Sequence, residues 1–367
     1  MGVFDRYRRF REFTPDEERA HYETLAAARH SAALARTRTL DLSGLTWPEL
    51  PPADVASGAV HAARRGLAAY EHSETAEVRA LLATQHDVDV ERVVLGQGLS
   101  ELLLAAAAAS LAPGERLVTG WPSHPLFPLA AARTRAELVV ARSHSSAALA
   151  EAARAGARVV AIANPNDVTG ALIDQRELDE LLGELPDGCV LLLDQALAAY
   201  CGVEPADAVL ELQARGAPLI AFRTFSKEWG LAGLRAGYAL LPPSRTTDAA
   251  QLAPPLGIST VATAALRLAL RAPAYARQRA ELVVAERARI VAALGHAPLE
   301  VAPSQSNLLW IAANGCSGDE LAEALAAEQI EVLRGSHYGD ERHVRAQIQL
   351  PDANNRLLAA LAAALPV

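Results

Sequence analysis

Short apolar runs, each followed by a polar turn and then a helical segment, recur through the first two thirds of the chain. They lie at residues 93–95, 117–119, 137–141, 159–163, 190–193 and 219–222. Continuous apolar runs that alternate with helices predict a mostly parallel sheet, with its strands buried between layers of helices. In such sheets the carboxyl ends of the strands form the binding edge. We therefore predict an α/β fold with its site at that edge.

Composition and charge argue against nucleic-acid binding, membrane insertion and a metal or disulfide framework. The chain has 367 residues, of which 51% are hydrophobic, which is ample for a large core and two lobes. Its net charge is −9 and it has no dense basic block, so we expect no nucleic-acid partner. No apolar run reaches membrane-spanning length and the N-terminus has no secretory pattern, so we expect no membrane partner. The widely spaced Cys189, Cys201 and Cys316 indicate no metal site and no disulfide framework, which favours a cytoplasmic protein.

The stretch 222–238 carries the most chemically specific group of residues. It contains a single lysine, Lys227, preceded by Thr224 and Ser226 and followed by three glycines and Arg235. A lysine amine must lose its proton before it attacks a carbonyl, and burial or a nearby cation favours that loss. An arginine fork matches a phosphate better than a lysine does. The stretch therefore predicts a reactive amine, Lys227, beside an anion site that includes Arg235.

The same stretch resembles the Schiff-base segment of fold-type I pyridoxal-phosphate enzymes. It is most similar to the Ser-Lys-x-x-Gly-Leu-Ala-Gly-Leu-Arg-x-Gly-Tyr signature of the histidinol-phosphate aminotransferase group, within the class I/II aminotransferases, and it matches through most of its length. The resemblance extends over roughly residues 40–367. It implies an aspartate aminotransferase-like large domain and a smaller α+β C-terminal domain. It also implies that Lys227 binds pyridoxal 5'-phosphate as a Schiff base.

The resemblance implies a domain organisation and a partner as well. We expect an N-terminal arm with a helix at 1–45, a cofactor-binding domain at 46–270, and a small domain at 271–367 that includes part of the arm. The family implies a homodimer in which the two subunits share each site. Tyr70 matches a tyrosine that reaches the cofactor phosphate of the neighbouring subunit. An aromatic residue that merely ends a helix is an equally good interpretation of Tyr70.

A glycine turn at 96–98 leads directly into an alanine- and leucine-rich helix. Free backbone N–H groups and the positive end of the helix dipole make such a point an anion site. By resemblance, Leu99 and Ser100 bind the cofactor phosphate through their amides. Thr224, Ser226 and Arg235 are the other phosphate ligands that the resemblance implies.

Two further residues match positions around the cofactor ring. Asp194 follows a strand, and by resemblance its carboxylate keeps the pyridine nitrogen protonated, so that the ring acts as an electron sink. His124 stands where the family usually has an aromatic residue stacked on the ring. Imidazole is planar and can stack in the same way, although a lone histidine is more often structural.

The chain departs from the family beside the cofactor's phenolic oxygen. Asp167 replaces the asparagine that bonds this oxygen, and Leu197 replaces a tyrosine that donates to it. An ionised carboxylate would repel a phenolate. Asp167 is therefore protonated, turned away or bridged by a water, unless Asn166 takes over the contact. We expect either compensation by Tyr200 or an altered pKa of the cofactor-bound lysine.

Two arginines are candidates for binding the substrate. By resemblance, Arg345 grips the substrate α-carboxylate as a bidentate fork, and Arg334 binds a distal phosphate, although Arg334 reads equally well as a surface residue. The expected function is a ping-pong aminotransferase that moves an amino group between an amino acid, or an amino-alcohol phosphate like histidinol phosphate, and a 2-oxo acid. A decarboxylase of the threonine-phosphate type and a non-catalytic cofactor-binding sensor are the alternatives.

Overall fold

The computed structural model describes residues 38–68, 74–295 and 297–364, together with residues 14, 16, 19, 20 and 24. Within these residues the chain forms strands and helices in alternation. The strands are β1 (Leu40–Asp41), β2 (Val93–Gly96), β3 (Arg116–Gly120), β4 (Glu137–Ala141), β5 (Ala157–Ala163), β6 (Val190–Asp194), β7 (Leu219–Thr224), β8 (Gly237–Leu240), β9 (Leu299–Val301), β10 (Leu308–Ala313), β11 (Ile330–Glu331), β12 (Leu333–Arg334) and β13 (His343–Gln347). The helices are α1 (Ala53–Gly66), α2 (Glu74–His86), α3 (Leu99–Ser110), α4 (Leu126–Thr134), α5 (Ser146–Ala153), α6 (Gln175–Glu184), α7 (Ala208–Ala214), α8 (Ala249–Leu252), α9 (Thr260–Arg271), α10 (Ala274–Leu294), α11 (Gly318–Ala327) and α12 (Pro351–Ala364).

A seven-stranded sheet forms the centre of the large lobe. Its strand order is β2-β8-β7-β6-β5-β3-β4. All neighbouring strands are parallel except β8, which runs antiparallel to both β2 and β7. Two apolar clusters lie on the two faces of this sheet, and alternate residues of β5, β6 and β7 contribute to each. The prediction of a mostly parallel sheet buried between helices is confirmed.

A second, antiparallel sheet has the order β12-β13-β10-β9. One of its faces packs with α10, α11 and α12 in a third apolar cluster. The stretch 330–334 forms two short strands, because β11 pairs in parallel with β1 while β12 pairs with β13. This separate sheet agrees with the predicted smaller α+β lobe, whereas the domain limits at 45/46 and 270/271 stay predictions.

The sequence predicts a long helix from about 259 to 296 with a break near Pro273, and the structure has a break at that proline. Helix α9 ends at Arg271 and α10 begins at Ala274, because proline cannot donate the backbone hydrogen bond that a continuous helix requires. The proline-rich, polar segment 242–258 predicts a loop. It contains a 3₁₀ turn at Pro243–Asp248 and the short helix α8, so that prediction is wrong in part.

Candidate active site

The predicted site residues lie at one edge of the seven-stranded sheet. Strand β6 ends at Asp194 and its parallel neighbour β7 ends at Thr224, three residues before Lys227. Strand β2 points the same way as β7, because β8 lies antiparallel between them. The turn at Gly98 and the first turn of α3 therefore reach the same edge as Lys227.

Two glycines allow the backbone to pack closely around the start of α3. Gly98 precedes the helix with φ +95°, and a Cβ atom there would lie 2.8 Å from Nη2 of Arg235. A Cβ atom on Gly237 would lie 2.6 Å from the backbone nitrogen of Leu99. The guanidinium of Arg235 is thus held against the first turn of α3, whose leading N–H groups at Leu99 and Ser100 have no acceptor within the helix.

Two hydroxyl groups adjoin this turn. The Oγ1 atom of Thr224 donates to Oγ of Ser226 over 2.9 Å, and the backbone N–H of Ser226 donates to Thr224 Oγ1 over 3.1 Å. Both side chains are buried, and Thr224 is paired with Gly237 across β7 and β8. A guanidinium, two hydroxyls and uncapped helix amides therefore meet at one point, which is the donor set that a phosphate dianion requires.

Lys227 lies in a largely buried environment with charges of both signs. Burial lowers the pKa of its amine, the Asp194 carboxylate opposes that shift, and the Arg345 guanidinium adds to it. A lowered pKa leaves more of the amine neutral near pH 7, and the neutral amine is the nucleophilic form. The surroundings of Lys227 suit a lysine that reacts covalently.

Asp194 and His124 are near neighbours at the same edge. Burial raises the pKa of the Asp194 carboxyl to about 6, although the N–H of Ala196 donates to its Oδ1 over 2.8 Å and His124 also favours the ionised form. His124 follows β3, and its Nδ1 accepts the backbone N–H of Leu126 over 3.0 Å. The ring of His124 is therefore oriented by its own turn, beside the carboxyl group of Asp194.

The loop 164–170 uses its two polar side chains differently. The Oδ1 atom of Asn166 accepts the N–H groups of Val168 and Thr169, and its Nδ2 donates to the carbonyl of Pro122 over 3.0 Å. Asn166 is therefore committed to the loop itself. Asp167 is only 7% exposed, and its Oδ1 has no hydrogen-bond partner in the described part of the chain.

Arg345 lies on β13 and reaches across to this loop. Its Nη1 donates to the backbone carbonyl of Asp167 over 2.9 Å, and its Nη2 donates to the carbonyl of Ser43 over 2.7 Å. Its Nε is buried and has no partner among the described residues. Two backbone contacts hold the guanidinium in place, and an unpaired N–H remains for a ligand.

The structure does not bring Arg334 to Arg345. Strand β12 pairs Leu333 with Arg345 and Arg334 with Val344, so the two arginines project from opposite faces of the small sheet. The Nη1 atom of Arg334 lies 3.7 Å from Asp319 and 3.5 Å from Glu323. The other predicted residue that is not placed here, Tyr70, lies outside the described residues.

Two aromatic residues near Arg345 were not predicted as site residues. Tyr338 ends the 3₁₀ turn Gly335–Tyr338, and its carbonyl accepts the indole N–H of Trp121 over 2.7 Å. The two rings lie 5.9 Å apart. Burial raises the pKa of the Tyr338 phenol, while nearby Arg345 opposes the shift. The position of Trp121, directly after β3 and before His124, could have indicated its place, whereas Tyr338 has no such signal.

Leu197, at the position of the family's tyrosine, and Tyr200, the residue suggested to compensate for it, are both core residues. Leu197 and Tyr200 are each only 1% exposed and belong to the apolar cluster under the small sheet. Burial raises the pKa of the Tyr200 phenol strongly, and its charged neighbours are Glu228 and Arg279. The charged groups beside Tyr200 are not the ones beside Asp167. The suggestion that Tyr200 replaces the family's tyrosine at the cofactor's phenolic oxygen therefore stays a prediction.

The described residues contain no cluster of three or more histidine, cysteine or acidic side chains that could hold a metal ion. Among the same residues, no helix is long and apolar enough to cross a membrane.

Comparisons with known proteins show which family and which fold the chain resembles. The model of the family described as aminotransferase class I and II matches residues 41–361. A histidinol-phosphate aminotransferase of Cupriavidus pinatubonensis is 32% identical over 364 residues, which is 96% of either chain. An aromatic amino acid aminotransferase of Cutibacterium acnes is 30% identical over 297 residues, covering 79% of this chain and 82% of the relative. The crystal structure of a Sinorhizobium meliloti histidinol-phosphate aminotransferase in complex with pyridoxal-5'-phosphate has a TM-score of 0.78 at 22% identity, over 92% of this chain and 93% of that one.

Proposed function

Because this chain belongs to the class I and II aminotransferase family, we propose that its site transfers an amino group from an amino acid with an uncharged, aromatic side chain to a 2-oxo acid. The aminotransferase class and the cofactor, pyridoxal 5'-phosphate, follow from the family. The amino donor and the roles of individual residues are our inference. The observation that carries it is the meeting of the half-buried Lys227 with the buried Asp194 and Arg345 at one sheet edge.

The residues at that edge fit the cofactor. The Arg235 guanidinium, the Thr224 and Ser226 hydroxyls and the first amides of α3 would hold its phosphate, and the Lys227 amine would attach it covalently. The absence of a Cβ at Gly98 lets the Arg235 guanidinium approach the first turn of α3, and the orphaned Oδ1 of Asp167 lacks the hydrogen-bond partner that a bound group would supply. When bound, pyridoxal phosphate supplies an electron sink that stabilises negative charge at the substrate α-carbon.

Each of the three central residues has a distinct task in the proposed reaction. Arg345 binds the substrate α-carboxylate, which orients the α-carbon toward the buried edge. The Lys227 amine takes the proton from that carbon as a general base. It later donates a proton as a general acid, which completes the proton transfer. The Asp194 carboxylate places a negative charge in the buried site. This charge would favour the protonated form of the cofactor's pyridine nitrogen. Because donor and acceptor use one site in turn, we expect ping-pong kinetics.

The surroundings of Arg345 support an aromatic donor over a phosphate ester. Arg334 projects from the opposite sheet face and is already close to Asp319 and Glu323. The groups close to Arg345 are instead the Tyr338 phenol and, through it, Trp121. Aromatic rings pack favourably on one another, with a gain of about 0.5–1.5 kcal/mol per pair beyond the area that they bury.

We also propose a homodimer in which Tyr70 reaches the cofactor phosphate of the other subunit. This part of the proposal is supported by the family resemblance alone. Light scattering of the purified protein measures the assembly directly. A monomeric mass at micromolar concentration would contradict it.

The test is product analysis with the purified, cofactor-loaded protein. We expect phenylalanine or tyrosine with 2-oxoglutarate to give the aromatic 2-oxo acid and glutamate, with a higher kcat/KM than histidinol phosphate. Release of carbon dioxide instead of a 2-oxo acid would identify a decarboxylase and refute transamination. A higher kcat/KM for histidinol phosphate would refute only the donor class.

Single substitutions test whether Tyr338 contacts the side chain of the aromatic donor. Tyr338→Ala should raise KM for the aromatic donor by about 2- to 12-fold, since one ring pair is lost. The matched control is Tyr275→Ala, which removes a ring that packs on Trp229 outside this group. An equal rise of KM in both variants would contradict a specific role for Tyr338.

A further inference from the structure

Asp167 and Asp194 are two buried carboxyl groups with unequal surroundings. They are 7% and 6% exposed, respectively. Asp194 accepts a backbone N–H from Ala196, whereas Oδ1 of Asp167 has no partner among the described residues. A buried carboxylate with an oxygen that lacks a hydrogen bond is destabilised, and the usual outcome is that it gains a proton. Of the two groups, Asp167 is the one that is poised to do so.

The charges that face Asp167 come from several elements of the fold. Burial raises the pKa of the Asp167 carboxyl, and nearby cations oppose that shift. The titratable and charged groups around it are His124 after β3, Arg345 on β13, Lys227 after β7, Asp194 at the end of β6 and Tyr338 in its 3₁₀ turn. The ionised form of Asp167 therefore depends on cations, and Arg345 is one of them.

A carboxylate bound at Arg345 changes this balance. Arg345 donates to the backbone carbonyl of Asp167 over 2.9 Å, so an anion on its free Nε lies close to the same residue. Such a ligand neutralises the cation and adds a like charge beside the Asp167 carboxylate. Asn166 cannot relieve the repulsion, because its amide is already bonded within the loop.

We propose that Asp167 takes up a proton from solvent when a carboxylate ligand binds at Arg345, and that the resulting carboxylic acid donates a hydrogen bond to the ligand. Asp167 is then a specificity-determining residue that makes ligand binding dependent on pH. This inference rests on the proposed binding of the substrate carboxylate at Arg345. A protonated Asp167 can donate a hydrogen bond, as the asparagine that the family has at this position can. The proposal also predicts that the affinity for a carboxylate ligand falls as pH rises.

Calorimetry of the cofactor-loaded enzyme tests the proposal without turnover. The probe is 3-phenylpropionate, which has the carboxylate and ring of the proposed donor but no amino group. Titration in buffers of different ionisation enthalpy gives the number of protons taken up per site. For the wild type we expect uptake approaching one proton in the pH range where Kd rises, and a Kd that rises by up to about tenfold per pH unit, as linkage of one proton requires.

Asp167→Asn keeps the shape of the side chain and cannot titrate. We expect this variant to lose most of the proton uptake and to bind the probe with a flatter pH profile. The matched control, Asp187→Asn, removes an exposed carboxylate elsewhere and should keep the wild-type uptake. Equal uptake in Asp167→Asn and the wild type would overturn the proposal, because the proton would then go to another group.

The outcomes for the wild type alone are also decisive. Binding without proton uptake at every pH from 6 to 9 would overturn the role of Asp167 and leave the carboxylate site intact. Failure of both 3-phenylpropionate and the smaller acetate to bind would instead refute the carboxylate site at Arg345, and with it the proposed substrate binding. The two failures are therefore distinguishable.

Discussion

Replacement of Gly98 by alanine tests whether the first turn of α3 and Arg235 form the cofactor's phosphate site. Gly98 has φ +95° and ψ 160°, a conformation that residues with a side chain rarely adopt. Forcing an alanine into it destabilises the fold by about 1–3 kcal/mol. In addition, the new Cβ would lie 2.8 Å from Nη2 of Arg235, so the guanidinium must move away.

That movement determines the expected loss of affinity. Hydrogen bonds to charged groups contribute about 1.5–3 kcal/mol each, so losing one corresponds to about 10- to 150-fold weaker binding. The assay is titration of the cofactor-free protein with pyridoxal 5'-phosphate, followed by absorbance. Thermal unfolding of the same cofactor-free samples measures the change in stability separately.

Gly114→Ala is the matched control. Gly114 has φ +85°, and no atom lies within 4 Å of the position that its Cβ would take. Both variants should unfold at lower temperature, but only Gly98→Ala should bind the cofactor more weakly. Wild-type cofactor affinity in Gly98→Ala, or an equal loss in both variants, would refute the assignment of this turn as the phosphate site.

Three further variants test other parts of the molecule. Lys227→Ala should reduce turnover by at least about 10²-fold, the lower range for a general acid–base, as measured by 2-oxo acid formation. Arg345→Lys keeps the charge but loses the fork, so KM for the donor should rise by about 10-fold or more, whereas Arg342→Lys on the surface should leave KM unchanged. Burial raises the pKa of Asp207, but the hydrogen bond from His86 and the nearby charges bring it from 3.8 to about 2. Its stabilising contribution is therefore present above pH 3.8 and lost as pH falls toward 2, and unfolding of Asp207→Asn by urea should lack this part of the pH dependence.

The sequence predicts the sheet and its edge well because the signals are local. Strands β5, β6 and β7 contain the apolar runs 159–163, 190–193 and 219–222, and a polar residue follows each run directly: Asn164, Asp194 and Arg223. The sequence predicts a helix from 177 to 185, and α6 begins two residues earlier at Gln175, because Asp174 and Glu177 form a capping box that sets its start. Lys227 and Asp194 were predicted as site residues for the same reason, since each has a fixed place at the end of an apolar run.

The residues that were missed depend on contacts between distant segments. Tyr338 approaches Trp121 across more than two hundred residues, and no local pattern encodes that meeting. The face on which Arg334 lies depends on how a two-residue strand pairs with β13. A strand so short has no alternation from which its inward side can be recognised. The commitment of Asn166 to its own loop likewise becomes apparent only once the turn is folded.

The pairing of β12 with β13 decides which of two neighbouring side chains, Leu333 or Arg334, lies on the same sheet face as Arg345. Leu333 now faces the same way as Arg345, and Arg334 faces away. Deletion of Val332, with β11 as the anchored end, would advance β12 by one residue and exchange the two directions. Deletion of this one residue would then place the Arg334 guanidinium on the face where the Leu333 side chain now lies. In the proposed site, this deletion should therefore shift kcat/KM toward a phosphorylated donor and away from an apolar one.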